Sequence, residues 1–176
     1  MSKIKKSDLK KHIRDIPNFP KEGIIFKDIS TLLKNKDAFK KSIDIIAKQF
    51  KKEHVDQVVG VEARGFIFGS ALAYKLGAGF IPIRKKGKLP YKTESVTYQL
   101  EYGTDTLEIH EDAVQPKDRV LVVDDLLATG GTVRAVCDLL KKQKADIVGV
   151  AFLVELKFLK GKNRLKDLPV YSIIKY

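Results

Sequence analysis

Long apolar runs are missing from this sequence. No stretch approaches the roughly 18–20 consecutive apolar residues that a membrane-spanning helix requires. The lysine-rich start, residues 1–11, is not followed by the apolar segment of a secretory leader. These absences predict a chain with no membrane partner and no export. Cys137 is the only cysteine, which excludes an intrachain disulfide and a cysteine-built metal site, and predicts a cytoplasmic location. His12, His54 and His110 lie far apart with no metal-ligand spacing, and Cys137 falls on the apolar side of a helical pattern, so none is nominated as catalytic.

Arginine is scarce too, with 6 against 28 lysines. The net charge of +12 is concentrated early, because residues 1–52 hold 15 Lys and Arg against 6 Asp and Glu. Such asymmetry raises nucleic acid as a partner. The basic residues are interspersed with acids, however, and no helix-turn-helix or aromatic RNA-binding signature accompanies them. A solvated lysine surface with no nucleic-acid partner is the expectation.

At 176 residues and 44% hydrophobic, the chain is long enough for one core, and a single domain is expected. Phe39, Ile43, Ile46 and Phe50 recur at helical spacing between lysines over residues 38–52, which predicts an amphipathic helix. The apolar run 55–61 reads as a strand, 66–76 as a buried helix and 79–84 as a second strand. The same grammar returns at 119–125, a loop to Thr132, a helix over 133–145 and a strand over 147–154. Strands alternating with helices predict an α/β fold with a parallel sheet flanked by helices. Residues 95–101 and 106–110 alternate polar and apolar as a half-exposed hairpin would, inserted over the sheet edge. Residues 85–90 read as a polar loop suited to a lid.

Residues 120–132 carry the chemistry: Val120-Leu121-Val122-Val123, then Asp124-Asp125, then Leu126-Leu127-Ala128-Thr129-Gly130-Gly131-Thr132. A glycine turn entering a helix presents unpaired N–H groups and the positive end of the helix dipole, and so can hold a phosphate. The two carboxylates cannot face that phosphate, since like charges about 6 Å apart repel by about 3 kcal/mol at an effective dielectric of about 20. They suit hydroxyls and developing positive charge instead. Ribose 5-phosphate has both ends. The Gly-x-x-x-x-Gly-Lys-Ser/Thr and Gly-x-Gly-x-x-Gly phosphate motifs are both missing.

With this motif the sequence resembles the type I phosphoribosyltransferases, whose fold is a parallel α/β core with a hood. Phe19-Pro20, Gly23 to Ile29, Arg64-Gly65-Phe66, Ile83 to Pro90 and Leu100 to Gly103 look like its adenine-specific branch, so the resemblance covers nearly the whole chain. It implies transfer of the 5-phosphoribosyl group of phosphoribosyl pyrophosphate (PRPP) to adenine, giving AMP and pyrophosphate, in a homodimer. It also implies a hood and base-pocket segment at 1–36 and a lid hairpin at 85–110.

The resemblance assigns the 5-phosphate to Ala128, Thr129, Gly130, Gly131 and Thr132, and the ribose hydroxyls to Asp124 and Asp125. Pyrophosphate falls to Arg64, Arg84, Lys88 and Tyr102, with Mg²⁺ on substrate oxygens and Glu62 reaching it through water. Glu101 becomes the general acid or base at the purine, although spacing alone would leave it a solvent-facing hairpin residue. Adenine falls to Ile25, Phe26 and Lys27; many relatives carry arginine at the last position, so the bidentate fork is lost here. Two rivals remain open at this point: transfer to another purine, and a PRPP-sensing regulator that binds nucleic acid.

Overall fold

The computed structural model describes residues 4–99 and 103–176. The chain forms two compact units, residues 1–45 and 46–176. In the first, a 3₁₀ turn over Lys6–His12 leads into an antiparallel pair, β1 (Arg14–Pro17) and β2 (Ile25–Asp28), with Ile16 opposite Phe26. The connection closes when Gly23 N–H donates to the Asn18 side chain at 2.9 Å. Helix α1 (Ser30–Lys34) follows, its start tied by Asp28, which accepts from the Ser30 N–H at 2.9 Å. Helix α2 (Lys36–Phe50) then passes into the second unit, burying Ile43, Ile46 and Phe50 as its periodicity predicts.

The second unit is built on one seven-stranded sheet in the order β5-β6-β4-β3-β7-β8-β9. Strands β3 (Gln57–Val61), β4 (Gly79–Lys85), β7 (Arg119–Leu127), β8 (Asp146–Glu155) and β9 (Val170–Lys175) run parallel. Next to the central β3 lies β7, where Val120 to Val123 are all 0% exposed. Four consecutive buried residues need cover on both faces, which is why the run carries no polar alternation. Helix α3 (Arg64–Leu76) buries Gly65, Phe68, Gly69, Leu72 and Ala73, a stripe at steps of three and four, and packs on β3, β4 and β7. Helix α4 (Gly131–Lys142) buries Val133, Val136, Cys137 and Leu140 in the same way. Burial pushes the Cys137 thiol up to about 12, which makes it an inert packing group.

The structure differs from the sequence reading in three places. Strands β5 (Thr93–Gln99) and β6 (Thr104–His110) pair from Thr93 with His110 to Gln99 with Thr104. They extend the sheet instead of lying over its edge: β6 joins β4 antiparallel through Arg84 with Glu108 and Lys85 with Leu107. Burial of Leu107 and Ile109 in the core explains this placement. Second, β7 continues beyond Asp125 to Leu127, because its last residues still pair with Val154 and Glu155 of β8. Third, β1, β2, α1 and β9 carry too short a pattern to be read from sequence.

Phe152 is fully buried in the core of β8 and lies in register with Asp124. Phe152→Ala should destabilise the protein by about 3–5 kcal/mol through lost burial and a residual cavity. Urea unfolding measures this directly, and a loss below about 1 kcal/mol would show that the site collapses to fill the space.

Candidate active site

In an open α/β sheet, ligands bind beyond the carboxyl ends of the strands, at the point where strand order reverses. Here β3 is followed outward by β4 on one side and by β7 on the other, so the reversal lies between β3 and β7. A cavity of about 400 Å³ opens at that place, lined by Glu62, Arg64, Lys85, Tyr98, Asp105, Asp124, Asp125 and Thr132 among others.

From the end of β7, Asp124 and Asp125 enter the cavity. Asp124 accepts from the Asp125 N–H at 2.8 Å, and Asp125 meets the Arg64 Nε at 3.0 Å. The second contact is a charge pair without an aligned hydrogen bond, since that carboxylate oxygen is buried with no hydrogen-bond partner. Burial, joined by the charge of Asp125, pushes the Asp124 carboxyl well above its ordinary range. Burial raises Asp125 as well, against the opposing pull of the Arg64 guanidinium. Burial thus disfavours the charged form of both carboxyls, and a hydroxyl donor or a nearby positive charge offsets that cost.

Beyond the pair, Ala128 to Gly130 turn the chain into α4. Gly130 takes φ +81°, and a Cβ there would lie 2.6 Å from the Gly161 carbonyl oxygen. Gly161 is equally confined, because its own Cβ would stand 2.2 Å from the Ala128 oxygen. The first helical bond runs from the Arg134 N–H to the Gly130 carbonyl at 3.0 Å, so the preceding N–H groups of Gly131, Thr132 and Val133 have no acceptor inside α4. This is the geometry of an anion cradle.

From the end of β3, Glu62 gathers cations. It accepts from the Lys85 N–H at 3.0 Å, meets the Lys88 ammonium at 3.0 Å and lies 3.4 Å from the Arg84 Nε. Burial pushes its carboxyl up, but the Lys85 N–H, Lys88 and Arg84 together outweigh that and hold it below its usual value. Arg84 also donates to the Lys88 carbonyl at 2.9 Å. The structure thus brings Arg64, Arg84, Lys88, Asp124, Asp125 and residues 128–132 to one end of one sheet. Glu101 and Tyr102 lie outside the described residues.

Ile25, Phe26 and Lys27 belong to the first unit. Ile25 is exposed, Phe26 meets Phe19 edge to face at 5.2 Å, and Lys27 is buried with its ammonium 2.8 Å from Asp15. The Ser30 hydroxyl and N–H, followed by Arg14, lower the neighbouring Asp28 to about 2.

Three contributors escaped the sequence reading. Tyr98 accepts a hydrogen bond from the Thr132 hydroxyl at 3.3 Å, and the inward alternation of Val96 and Tyr98 on β5 was its available signal. Lys85 pairs with Asp105 at 3.2 Å along the cavity wall. Gly161, beneath the phosphate turn, had no local signal at all.

Raised carboxyl pKa values mean that the folded protein binds protons more tightly than the unfolded chain. The stability linked to Asp124 is fully present below its ordinary 3.8 and is lost as pH climbs through the higher folded value. Asp124→Asn should therefore be more stable than the parent at pH 7, with the advantage shrinking toward pH 4. Thermal melts of both proteins at the two pH values test this, and an advantage that grows on acidification would reverse the sign assigned to the burial effect.

The family model for the phosphoribosyl transferase domain matches residues 28–174. The adenine phosphoribosyltransferase of Syntrophotalea carbinolica is 62% identical over 96% of this chain and 99% of its own. Among solved structures, the adenine phosphoribosyltransferase of Thermoanaerobacter pseudethanolicus superposes with a TM-score of 0.95 at 49% identity, covering 98% of this chain and 100% of that one. The Saccharomyces cerevisiae enzyme, complexed with an imino-altritol bisphosphate and adenine, superposes with a TM-score of 0.91 at 40% identity over 96% of this chain and 97% of that one. The chain belongs to the phosphoribosyltransferase family, within its adenine phosphoribosyltransferase branch.

Proposed function

We propose that this chain transfers the 5-phosphoribosyl group of PRPP to N9 of adenine, releasing pyrophosphate and forming AMP. The observation that carries the reading is the joining, at the end of one buried strand, of an anion cradle and two carboxylates raised by burial. Adenine bound to the yeast relative supports the choice of base.

The phosphate of the ribose occupies the amides of Ala128 to Thr132, with the Thr129 and Thr132 hydroxyls adding hydrogen bonds. Asp124 and Asp125 accept from the ribose hydroxyls, and this draws both toward the ionised form. As the bond from C1 to the pyrophosphate oxygen lengthens, the anomeric carbon gains oxocarbenium character, and the two carboxylates stabilise its charge. Arg64, Arg84 and Lys88 take the leaving pyrophosphate together with Tyr102. Arg84 and Lys88 exchange Glu62 for the more highly charged diphosphate. Adenine N9 forms the new bond to C1 while its proton leaves, with Glu101 managing proton transfer at the purine. Ile25, Phe26 and Lys27 receive the ring, with Lys27 anchored by Asp15. In this assignment residues 1–36 form the hood and 85–110 the lid of a single phosphoribosyltransferase domain.

Among the described residues no group of three or more His, Cys, Asp or Glu side chains is placed to hold a metal ion, and the Glu62 oxygens already have partners. This donor set fits Mg²⁺ carried on substrate oxygens, with Glu62 reached through water. Bound there, Mg²⁺ neutralises charge on the departing pyrophosphate. No helix among the described residues is long and apolar enough to cross a membrane. The working form in this reading is a cytoplasmic homodimer.

Purified protein incubated with PRPP, Mg²⁺ and each of adenine, guanine, hypoxanthine and xanthine should yield AMP and pyrophosphate from adenine. Preference for another base would move the chain to a different substrate, and no product from any base would end the assignment. Glu101→Ala should lower turnover by about 10²–10⁴-fold with little change in PRPP affinity. The double substitution Asp124→Asn, Asp125→Asn should weaken both, and full turnover by Glu101→Ala would remove Glu101 from proton transfer.

A further inference from the structure

The protein has six arginines, and five of them face carboxylates. Arg14 pairs with Asp28, Arg64 with Asp125, Arg84 with Glu62, Arg119 with Asp146, and Arg134 with Asp138 and Asp167. Arg164 has no acidic partner among the described residues. Its guanidinium nevertheless has a defined place: Nη1 stands 3.5 Å from where a Cβ of Gly131 would be, at the first residue of α4 in the phosphate turn.

That placement follows from the segment that carries it. Residues Gly161–Leu165 form a 3₁₀ turn anchored by buried Leu165. With three residues per turn, side chains three apart lie on the same side. Gly161 is pressed against Ala128 and Gly130, so Arg164, three residues later, leaves the turn on the side that meets the phosphate loop. The neighbouring Lys162 meets the Glu155 carboxylate at 3.5 Å. An exposed arginine is ordinarily a solvated surface group. Here the side chain lies beside a cluster of unpaired N–H donors, and the next cation in the segment is already neutralised.

We propose that Arg164 is a further ligand of the phosphomonoester held at Ala128–Thr132, closing the cradle beside Gly131. The proposal rests on the phosphoribosyl reading and adds to it a residue from outside the signature sequence. A guanidinium suits this position because its fork matches two phosphate oxygens and its charge is permanent. The segment containing Gly161 then serves two purposes: its backbone supports the turn, and its arginine completes it.

The test compares the parent, Arg164→Gln and Arg164→Lys by calorimetric titration with AMP and by steady-state kinetics. Arg164→Gln should bind AMP about ten-fold more weakly and raise KM for PRPP by a similar factor, with KM for adenine changed by less than about two-fold. Arg164→Lys should recover part of the loss, since it keeps the charge without the fork. The melting temperature of Arg164→Gln should match the parent, because the residue is exposed. AMP affinity within about two-fold of the parent would overturn the proposal, as would equal losses for PRPP and adenine with a lowered melting temperature. Failure of the parent itself to bind AMP would take down the phosphoribosyl reading and Arg164 with it, whereas equal binding by parent and variant removes Arg164 alone.

Discussion

Two adjacent carboxylates at the end of a buried strand are the constraint around which the second unit is arranged. Asp125 is buried and Asp124 half-buried, in a setting where an isolated charge is disfavoured. Relief comes from Arg64 at the first turn of α3. For α3 to start so close, its second residue must be small: a Cβ at Gly65 would lie 3.0 Å from both the Asp124 carboxylate and the Val123 carbonyl oxygen. The approach of helix to strand is thus set by the need to bring one cation to one acid.

The other wall of the site answers a different requirement. A phosphate turn must keep its N–H groups pointing outward, and a turn free to move would lose that preorganisation. Support comes from beneath, through the contact of Gly161 with Ala128 and Gly130, and from the side, through ion pairs that tie α4 to Asp167. Lys141 and Arg134 both reach Asp167, and their hydrogen bonds hold its carboxyl far below the usual range. Each surface pair contributes little alone. Together they fix the orientation of the helix that carries the cradle.

The sequence made the chemical core legible because its signals are local. A four-residue valine-rich strand, two acids and a glycine turn stand within residues 120–132, and their physical requirements could be read in order. The parallel strands β3, β4, β7 and β8 and both long helices of the second unit followed from apolar patterning. What escaped was set by contacts distant in sequence. Gly161 and Arg164 lie about thirty residues from the turn they support, with nothing in their own neighbourhood to show it. Residues 95–110 were recognised as a hairpin, but the pairing of Arg84 and Lys85 with β6 depends on where the chain returns. Lys27 falls to the adenine pocket by resemblance alone, and its pairing with Asp15 was not legible, because it depends on the fold of β1 against β2 that places Asp15 opposite it and buries it.

The hairpin is held unevenly. Leu107 and Ile109 fasten β6 into the core, while β5 contains no fully buried residue and occupies the outer edge of the sheet, with β6 as its ladder partner. Separating β5 from its neighbour would expose only the partly buried Val96 and Tyr98 of its apolar side chains and leave the central strands intact. In terms of amide exchange, β5 should open as its own cooperative unit at a free energy well below that of β3, β7 and β8. Tyr98 travels with it, so one edge of the cavity can be uncovered and restored while the acids and the cradle keep their places.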